Sequence, residues 1–294
     1  MKITVVGAGA VGCLFACQLQ EAGHQVHLWT RRTPVTSLSF TALTEQETTY
    51  TFASNDPQAL TASEMVLICV KAFQVNAAIS AIRHYLNAHA IVVVSHNGMG
   101  TTADLLQALP HHPLLFATTS QGALKPQQAK IIHTGQGPTF LGALNTAGEQ
   151  PQLAALFHQA TGHCEWQADI HAKLWQKLAI NCAINPLTAL EQVANGELAA
   201  SQYRGQLIAL CEEIASVMDK EGYPTSVESL MTTVLSVIKA TAANYSSMNR
   251  DIHHHRQTEI DYISGYLIQC AHQHALSVPN NKALWRAIKQ REQV

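Results

Sequence analysis

The sequence predicts an α/β protein in two parts: alternating strands and helices over residues 1–168, then an all-helical domain over 169–294. Three observations carry this. A glycine-rich turn joins the first apolar run to the first helical stretch. Short strand-like runs then recur between helical stretches up to about residue 168. Beyond that point, apolar residues recur at three- and four-residue spacing almost throughout.

The chain opens with the strand-like run Ile3 to Val6, the turn GAGAVG at 7–12, and helix-favouring residues as far as Gly23. A second strand pattern, Gln25 to Thr30, follows at once. This context gives Gly7-x-Gly9-x-x-Gly12 its weight, because the phosphate-binding fingerprint lies between a strand and a helix. Gly7 permits the tight turn, Gly9 lets a pyrophosphate approach the backbone, and Gly12 lets the helix pack on the strand. Free N–H groups and the positive end of the helix dipole would hold the phosphates. A secretory signal is the plainer alternative, since Lys2 precedes apolar residues. The three glycines, the immediate second strand and the missing cleavage pattern argue against it. A Rossmann-like dinucleotide site is expected.

The end of the second strand selects the cofactor. NAD sites commonly place a carboxylate there for the ribose 2′-hydroxyl. This chain has Thr30, Arg31 and Arg32 instead. Guanidinium forks suit a 2′-phosphate, so NADP is expected. Lys71, after the strand-like run Met65 to Val70, adds to the same field. Further strands are expected at Ile91 to Ser95, Leu114 to Thr118, Lys130 to His133 and Thr139 to Leu141. They predict a parallel sheet ending in some antiparallel strands. Asn97 falls just past one of them, where doubly wound folds present ligand groups, although Asn-Gly is also a common turn. Residues Thr33 to Tyr50 read as a loop with no functional signal.

In the second part, Lys177, Asn181 and Asn185 lie one helical turn apart in KLAINCAINPLTAL, with apolar residues between them. Spacing by four places them on one helix face. Holding an ammonium and two amides on a greasy surface is unfavourable unless they have partners. A ligand would supply them; a lysine snorkelling to solvent is the plainer account. Pro186 is expected to disturb or end this helix. Helical periodicity continues at Leu207 to Lys220, Val227 to Ala243 and Ile260 to Ala275, with breaks at Gly196, Gly222-Tyr223-Pro224 and Val278-Pro279. A ligand cleft between the two parts is expected. The final KQREQV looks like a solvated helix end.

Composition narrows the function classes. The 294 residues carry a formal net charge of −2, which offers no basic field for nucleic acid. No apolar run reaches the roughly 18 residues of a membrane span. Seven cysteines without a C-x-x-C pattern read as reduced, buried thiols of a cytoplasmic protein. His253, His254 and His255 are consecutive and point about 100° apart on a helix, and His111–His112 and His272-x-His274 lack partners at ligand spacing. No metal is expected.

Taken together, the chain resembles the ketopantoate reductase (2-dehydropantoate 2-reductase) family over essentially its whole length. The matching strings are GAGAVG at 7–12, VKAFQ at 70–74, HNGMG at 96–100, KLAINCAINPLTAL at 177–190, NGEL at 195–198, SSM at 246–248 and TEIDYISG at 258–265. The resemblance implies an N-terminal Rossmann-like domain and a C-terminal domain like that of 6-phosphogluconate dehydrogenase. It implies NADPH-dependent reduction of ketopantoate to (R)-pantoate, on the way to pantothenate and coenzyme A. Lys177 would be the general acid, with Glu259 and Asn97 beside it as catalytic residues. Asn97, Asn181, Asn185, Asn195, Asn244, Ser247 and Glu259 would contact the substrate. Gly7, Ala8, Gly9, Ala10, Val11, Gly12, Arg31, Lys71, Gln74 and Asn97 would hold the cofactor. A monomer or homodimer, with a small-molecule substrate and neither nucleic acid nor membrane as partner, completes the expectation. Two alternatives stay open: a related NADP-dependent reductase of another 2-keto or 3-hydroxy acid, and a non-catalytic NADP-binding sensor.

Overall fold

The computed structural model describes residues 1–31 and 34–293. Arg32, one of the two arginines expected at the 2′-phosphate, lies outside them. The chain groups into two compact units, one of Met1–His96 with Thr101–Lys173, the other of Asn97–Gly100 with the chain from Leu174 onward.

The first unit contains, in order, β1 (Lys2–Val6), α1 (Ala10–Glu21), β2 (Gln25–Trp29), β3 (Ser37–Thr41), β4 (Glu47–Thr51), β5 (Ala53–Ser54), α2 (Pro57–Thr61), β6 (Met65–Ile68), α3 (Val75–Ile82), β7 (Ile91–Val94), α4 (Thr102–Ala108), β8 (Leu114–Thr119), β9 (Gly122–Gln127), β10 (Lys130–Gly135), β11 (Thr139–Ala143), α5 (Leu153–Thr161) and β12 (Cys164–Trp166). One sheet has the order β12-β11-β8-β7-β6-β1-β2-β5. Its neighbours are parallel except β8 with β11. β6 is buried at every position, as in a strand covered on both faces.

The stretch read as a loop is instead part of a second sheet, of order β4-β3-β10-β9. Leu38 and Phe40 are its only buried residues in β3, set among Ser and Thr. Two apolar residues at period two give a weak strand signal, and the pairing with β10 and β4 supplies what local pattern lacks.

The helices that follow are α6 (Ile170–Glu191), α7 (Ser201–Lys220), α8 (Val227–Ala240), α9 (Ser247–His253), α10 (Ser264–Gln273) and α11 (Pro279–Arg291). α6 gives its first turn to the first unit and the rest to the second. It does not end at Pro186, which lies inside the helix. Every residue from Cys182 to Ala189 is buried, so packing outweighs the lost backbone hydrogen bond. The helix expected over Ile260 to Ala275 is split into a 3₁₀ turn, Ile260–Tyr262, and α10. The Tyr262 carbonyl accepts from Met99 N–H at 2.8 Å rather than from the next helical turn. α8 likewise stops short of Ala243, because the Ala242 and Asn244 carbonyls accept from Gly196 and Asn195 N–H. At the start of α11, both oxygens of the buried Glu213 accept from the backbone and side-chain amides of Asn280 and Asn281.

The seven cysteines are free and buried. Among the described residues, no helix is long and apolar enough to cross a membrane, and no three His, Cys, Asp or Glu are grouped to hold a metal ion.

Candidate active site

In the first unit, parallel register brings three loops to one edge of the sheet. Val6 pairs with Trp29 on one side and with Ile68 on the other. Gly7, Thr30-Arg31 and Lys71 therefore all emerge at the carboxyl ends of adjacent strands, where open α/β sheets bind ligands. Gly7 has φ +103°, and a Cβ there would lie 2.5 Å from the Cys69 carbonyl oxygen. A Cβ on Gly12 would lie 2.0 Å from the Gly7 oxygen. A Cβ on Gly9 would meet nothing within 4 Å. Two of the glycines are thus required by the fold, while the third borders open space. No side chain caps the start of α1. The first-turn N–H groups of a helix lack intrahelical partners, so the loop fits a pyrophosphate.

Arg31 is exposed, directly after a turn in which Thr30 N–H donates to Asn55 Oδ1 at 2.7 Å. Lys71 is partly buried, its ammonium 5.9 Å from the centre of the Phe73 ring. The Gln74 side-chain oxygen accepts from Lys71 N–H at 3.3 Å. One basic group escaped the sequence reasoning. Lys125 Nζ, on β9, donates to the Ala8 carbonyl at 2.6 Å and lies 3.5 Å from Cys13 Sγ. Nothing in the local pattern of β9 reveals this, because the contact depends on a second sheet folding back on α1.

In the second unit, α6 presents Lys177, Asn181 and Asn185 at successive turns, with Lys177 and Asn181 partly buried and Asn185 7% exposed. Glu259 is 7% exposed and precedes the 3₁₀ turn Ile260–Tyr262. Burial lowers the Lys177 pKa from 10.5 to about 8, and the Glu259 carboxylate acts in the opposite sense. Asn97 Nδ2 donates to Glu259 Oε2 at 3.1 Å. The Asn97–Gly100 segment is held against the same turn. A Cβ on Gly98 would lie 2.2 Å from the Tyr262 oxygen, so only glycine permits this approach. Ammonium and carboxylate therefore act on one another electrostatically, and the carboxamide bonds the carboxylate, linking three separate parts of the chain.

The remaining predicted residues lie at the 3₁₀ turn Asn195–Ala199 and around the start of α9. Asn195 N–H donates to the Asn244 carbonyl at 2.8 Å, and its Nδ2 donates to Thr241 Oγ1 at 2.9 Å. Its Oδ1 is buried without a protein partner. An unsatisfied buried acceptor costs roughly 1–3 kcal/mol, a deficit that a ligand hydroxyl would remove. Asn244 and Ser247 are exposed. Ser246, not Ser247, is turned inward, where it bonds Thr188 Oγ1 at 2.8 Å and caps α9. His253, His254 and His255 are exposed. A hollow of about 400 Å³ in the first unit, lined by Gln136, Pro138, Phe140 and His163 among others, contains none of the predicted residues.

The fold and these clusters define a class: a dinucleotide-binding α/β unit joined to a helical unit that carries a partly buried lysine under the influence of a buried carboxylate. The models of the family described as "Ketopantoate reductase PanE/ApbA" match residues 3–146, and those of its C-terminal domain match residues 169–292. The chain belongs to the ketopantoate reductase family. It is 42% identical to a 2-dehydropantoate 2-reductase of Vibrio cholerae, covering 100% of this chain and 98% of that one. It is 40% identical to the enzyme of the same name from Yersinia pestis, covering 99% and 95%. Among solved structures, a ketopantoate reductase from Ralstonia eutropha superposes with a TM-score of 0.89 at 28% identity, covering 100% of this chain and 99% of that one. D-mandelate dehydrogenase with NADH and anilino(oxo)acetate gives a TM-score of 0.92 at 21% identity, with the same coverage, which is a likeness of fold.

Proposed function

We propose that the protein reduces ketopantoate to (R)-pantoate with NADPH, in pantothenate biosynthesis, and that residues 1–168 bind the cofactor while 169–294 carry the catalytic lysine. The observation that carries this is the Lys177–Glu259–Asn97 cluster in a chain of this family. NADPH would be held by Gly7, Ala8, Gly9, Ala10, Val11 and Gly12 at the pyrophosphate, by Arg31 at the 2′-phosphate, and by Lys71, Gln74 and Asn97. The bound cofactor supplies the hydride. Lys125 adds a positive charge at the Ala8 carbonyl, where it would favour the phosphates.

Lys177 handles the proton. As the C2 ketone is reduced, negative charge builds on its oxygen; a nearby ammonium stabilises that charge and then protonates the alkoxide. A pKa of about 8 suits this work, since an acid near the operating pH is both protonated and able to release its proton. Glu259 keeps the ammonium from neutralising in its buried position, and Asn97 keeps Glu259 oriented. Asn181, Asn185, Asn195, Asn244 and Ser247 would bind the substrate's carboxylate and hydroxyls through neutral groups, which do not compete with Lys177 for charge.

The test is NADPH oxidation by the purified protein with ketopantoate, beside NADH and a panel of other 2-keto acids. Preferred turnover of NADPH and ketopantoate is expected. An inert ketopantoate with another keto acid consumed would overturn the substrate, and equal use of NADH would overturn the role of Arg31.

A further inference from the structure

We infer that Glu292, the residue that ends the C-terminal helix α11, is a positioning residue that fixes the backbone carrying Glu259, whose carboxylate acts on Lys177. This rests on the reading of Lys177 and Glu259 as the proton-handling pair.

The geometry is a grip on both sides of Glu259. On the N-terminal side, Thr258 N–H and the Thr258 hydroxyl both donate to Glu292 Oε1, at 2.8 and 2.7 Å. The same hydroxyl oxygen accepts from Ile260 N–H at 3.1 Å, closing a turn around Glu259. On the C-terminal side, Asp261 Oδ1 accepts from Trp285 Nε1 at 2.8 Å and Asp261 Oδ2 pairs with Lys289 Nζ at 2.9 Å. Lys289 also pairs with Glu292 Oε2 at 2.8 Å, so both carboxylates share one ammonium. Thr258, Glu259 and Ile260 are 2%, 7% and 0% exposed. The Glu292 side chain itself is only 9% exposed, although Gln290, Arg291 and Gln293 around it are exposed, as expected of a solvated helix end. Hydrogen bonds to a charged acceptor are short and strong compared with neutral ones, and here two converge on one oxygen beside a buried residue. A loosened Glu259 would offset the burial of the Lys177 ammonium less, because a carboxylate's effect falls with distance.

The test compares full-length Glu292→Leu, Glu292→Gln and Thr258→Val with the parent chain. Lys177 titration is read from its reactivity with acetic anhydride across neutral and alkaline pH, by peptide mass spectrometry, so the measurement does not depend on turnover. In Glu292→Leu the Lys177 titration is expected to fall by about half a pH unit or more, with kcat down about tenfold and NADPH affinity within about twofold. Glu292→Gln, which keeps a carbonyl oxygen for Thr258, should restore most of the turnover. Thr258→Val should move the titration in the same direction, and the double variant should lose less than the sum of the two. A folded Glu292→Leu with unchanged Lys177 titration and kcat overturns the inference. If Glu292→Leu does not fold, unchanged values in Thr258→Val overturn it instead. A parent chain that is inert towards ketopantoate overturns the proposed reaction, while the labelling still decides whether Glu292 sets the pair.

Discussion

An ammonium taken out of water gives up its proton more readily, and Lys177 shows the consequence for both activity and stability. Its folded pKa, about 8, lies below the ordinary 10.5. As the proposed general acid, Lys177 must be protonated for turnover in the reductive direction, so kcat is expected to fall as pH rises through about 8, and a pH–rate profile checks this. Stability runs the other way. The unfolded chain binds the extra proton between the two pKa values, so stability rises with pH across that interval and is diminished at neutral pH. At about 1.4 kcal/mol per pKa unit, the cost is on the order of 3 kcal/mol. Lys177→Met is therefore expected to abolish turnover, leave NADPH affinity nearly intact, and raise the melting temperature by several degrees. A melting temperature that drops would show that the ammonium is not strained by burial. The residue types of this cluster were legible in the sequence, since four-residue spacing alone aligns Lys177, Asn181 and Asn185. Their partner Glu259 was reached only through the family resemblance: it lies far along the chain, and no local pattern distinguishes it from a carboxylate that simply starts a turn.

At the scale of single elements, the glycine-rich turn separates structure from ligand binding. Gly12→Ala would place a methyl 2.0 Å from the Gly7 oxygen, so that variant should lose both fold stability and cofactor affinity. Gly9→Ala puts its methyl in open space, with φ at an ordinary −72°. It should melt like the parent chain yet bind NADPH at least about tenfold more weakly, as titration by fluorescence would report. Weak binding with a lowered melting temperature would count against this division. Six of the eight strands of the larger sheet were legible, most plainly continuous apolar runs such as Met65–Ile68, while the two- and three-residue β5 and β12 were too short to show. β3 and β4 were not, since Ser and Thr dominate them and their stability comes from pairing. The break before α10 was hidden for a related reason. It is set by a hydrogen bond from Met99, more than a hundred residues earlier, and helical periodicity continues through it unaltered.

At the scale of the molecule, pH acts on stability through buried histidine as well. His27 Nε2 accepts from Asp56 N–H at 3.0 Å, so its proton lies on Nδ1, facing Thr4 Oγ1 at 2.9 Å. Thr4 in turn bonds Ser63 at 2.6 Å, and Ser63 donates to the Ala59 carbonyl. Burial lowers the His27 pKa below 6.5, against the pull of Asp56. The neutral ring is therefore the folded form, and its contribution is full above 6.5 and declines as pH falls below it. Urea midpoints should drop between about pH 7.5 and 5.5, and His27→Gln should flatten part of that slope. An unchanged slope would mean that the ring protonates without breaking the chain from Asp56 to Ala59.

The segment Asn97–Gly100 belongs to the helical unit although it is spelled out in the middle of the α/β unit. During synthesis from the N-terminus, this short stretch leaves the ribosome well before Tyr262, the residue whose carbonyl and backbone it must meet. Its final shape can form only once nearly all of the chain has emerged. The turn that carries Asn97 is then among the last pieces to settle, and a nascent chain cut short before Tyr262 has a complete sheet but no place for that asparagine to rest.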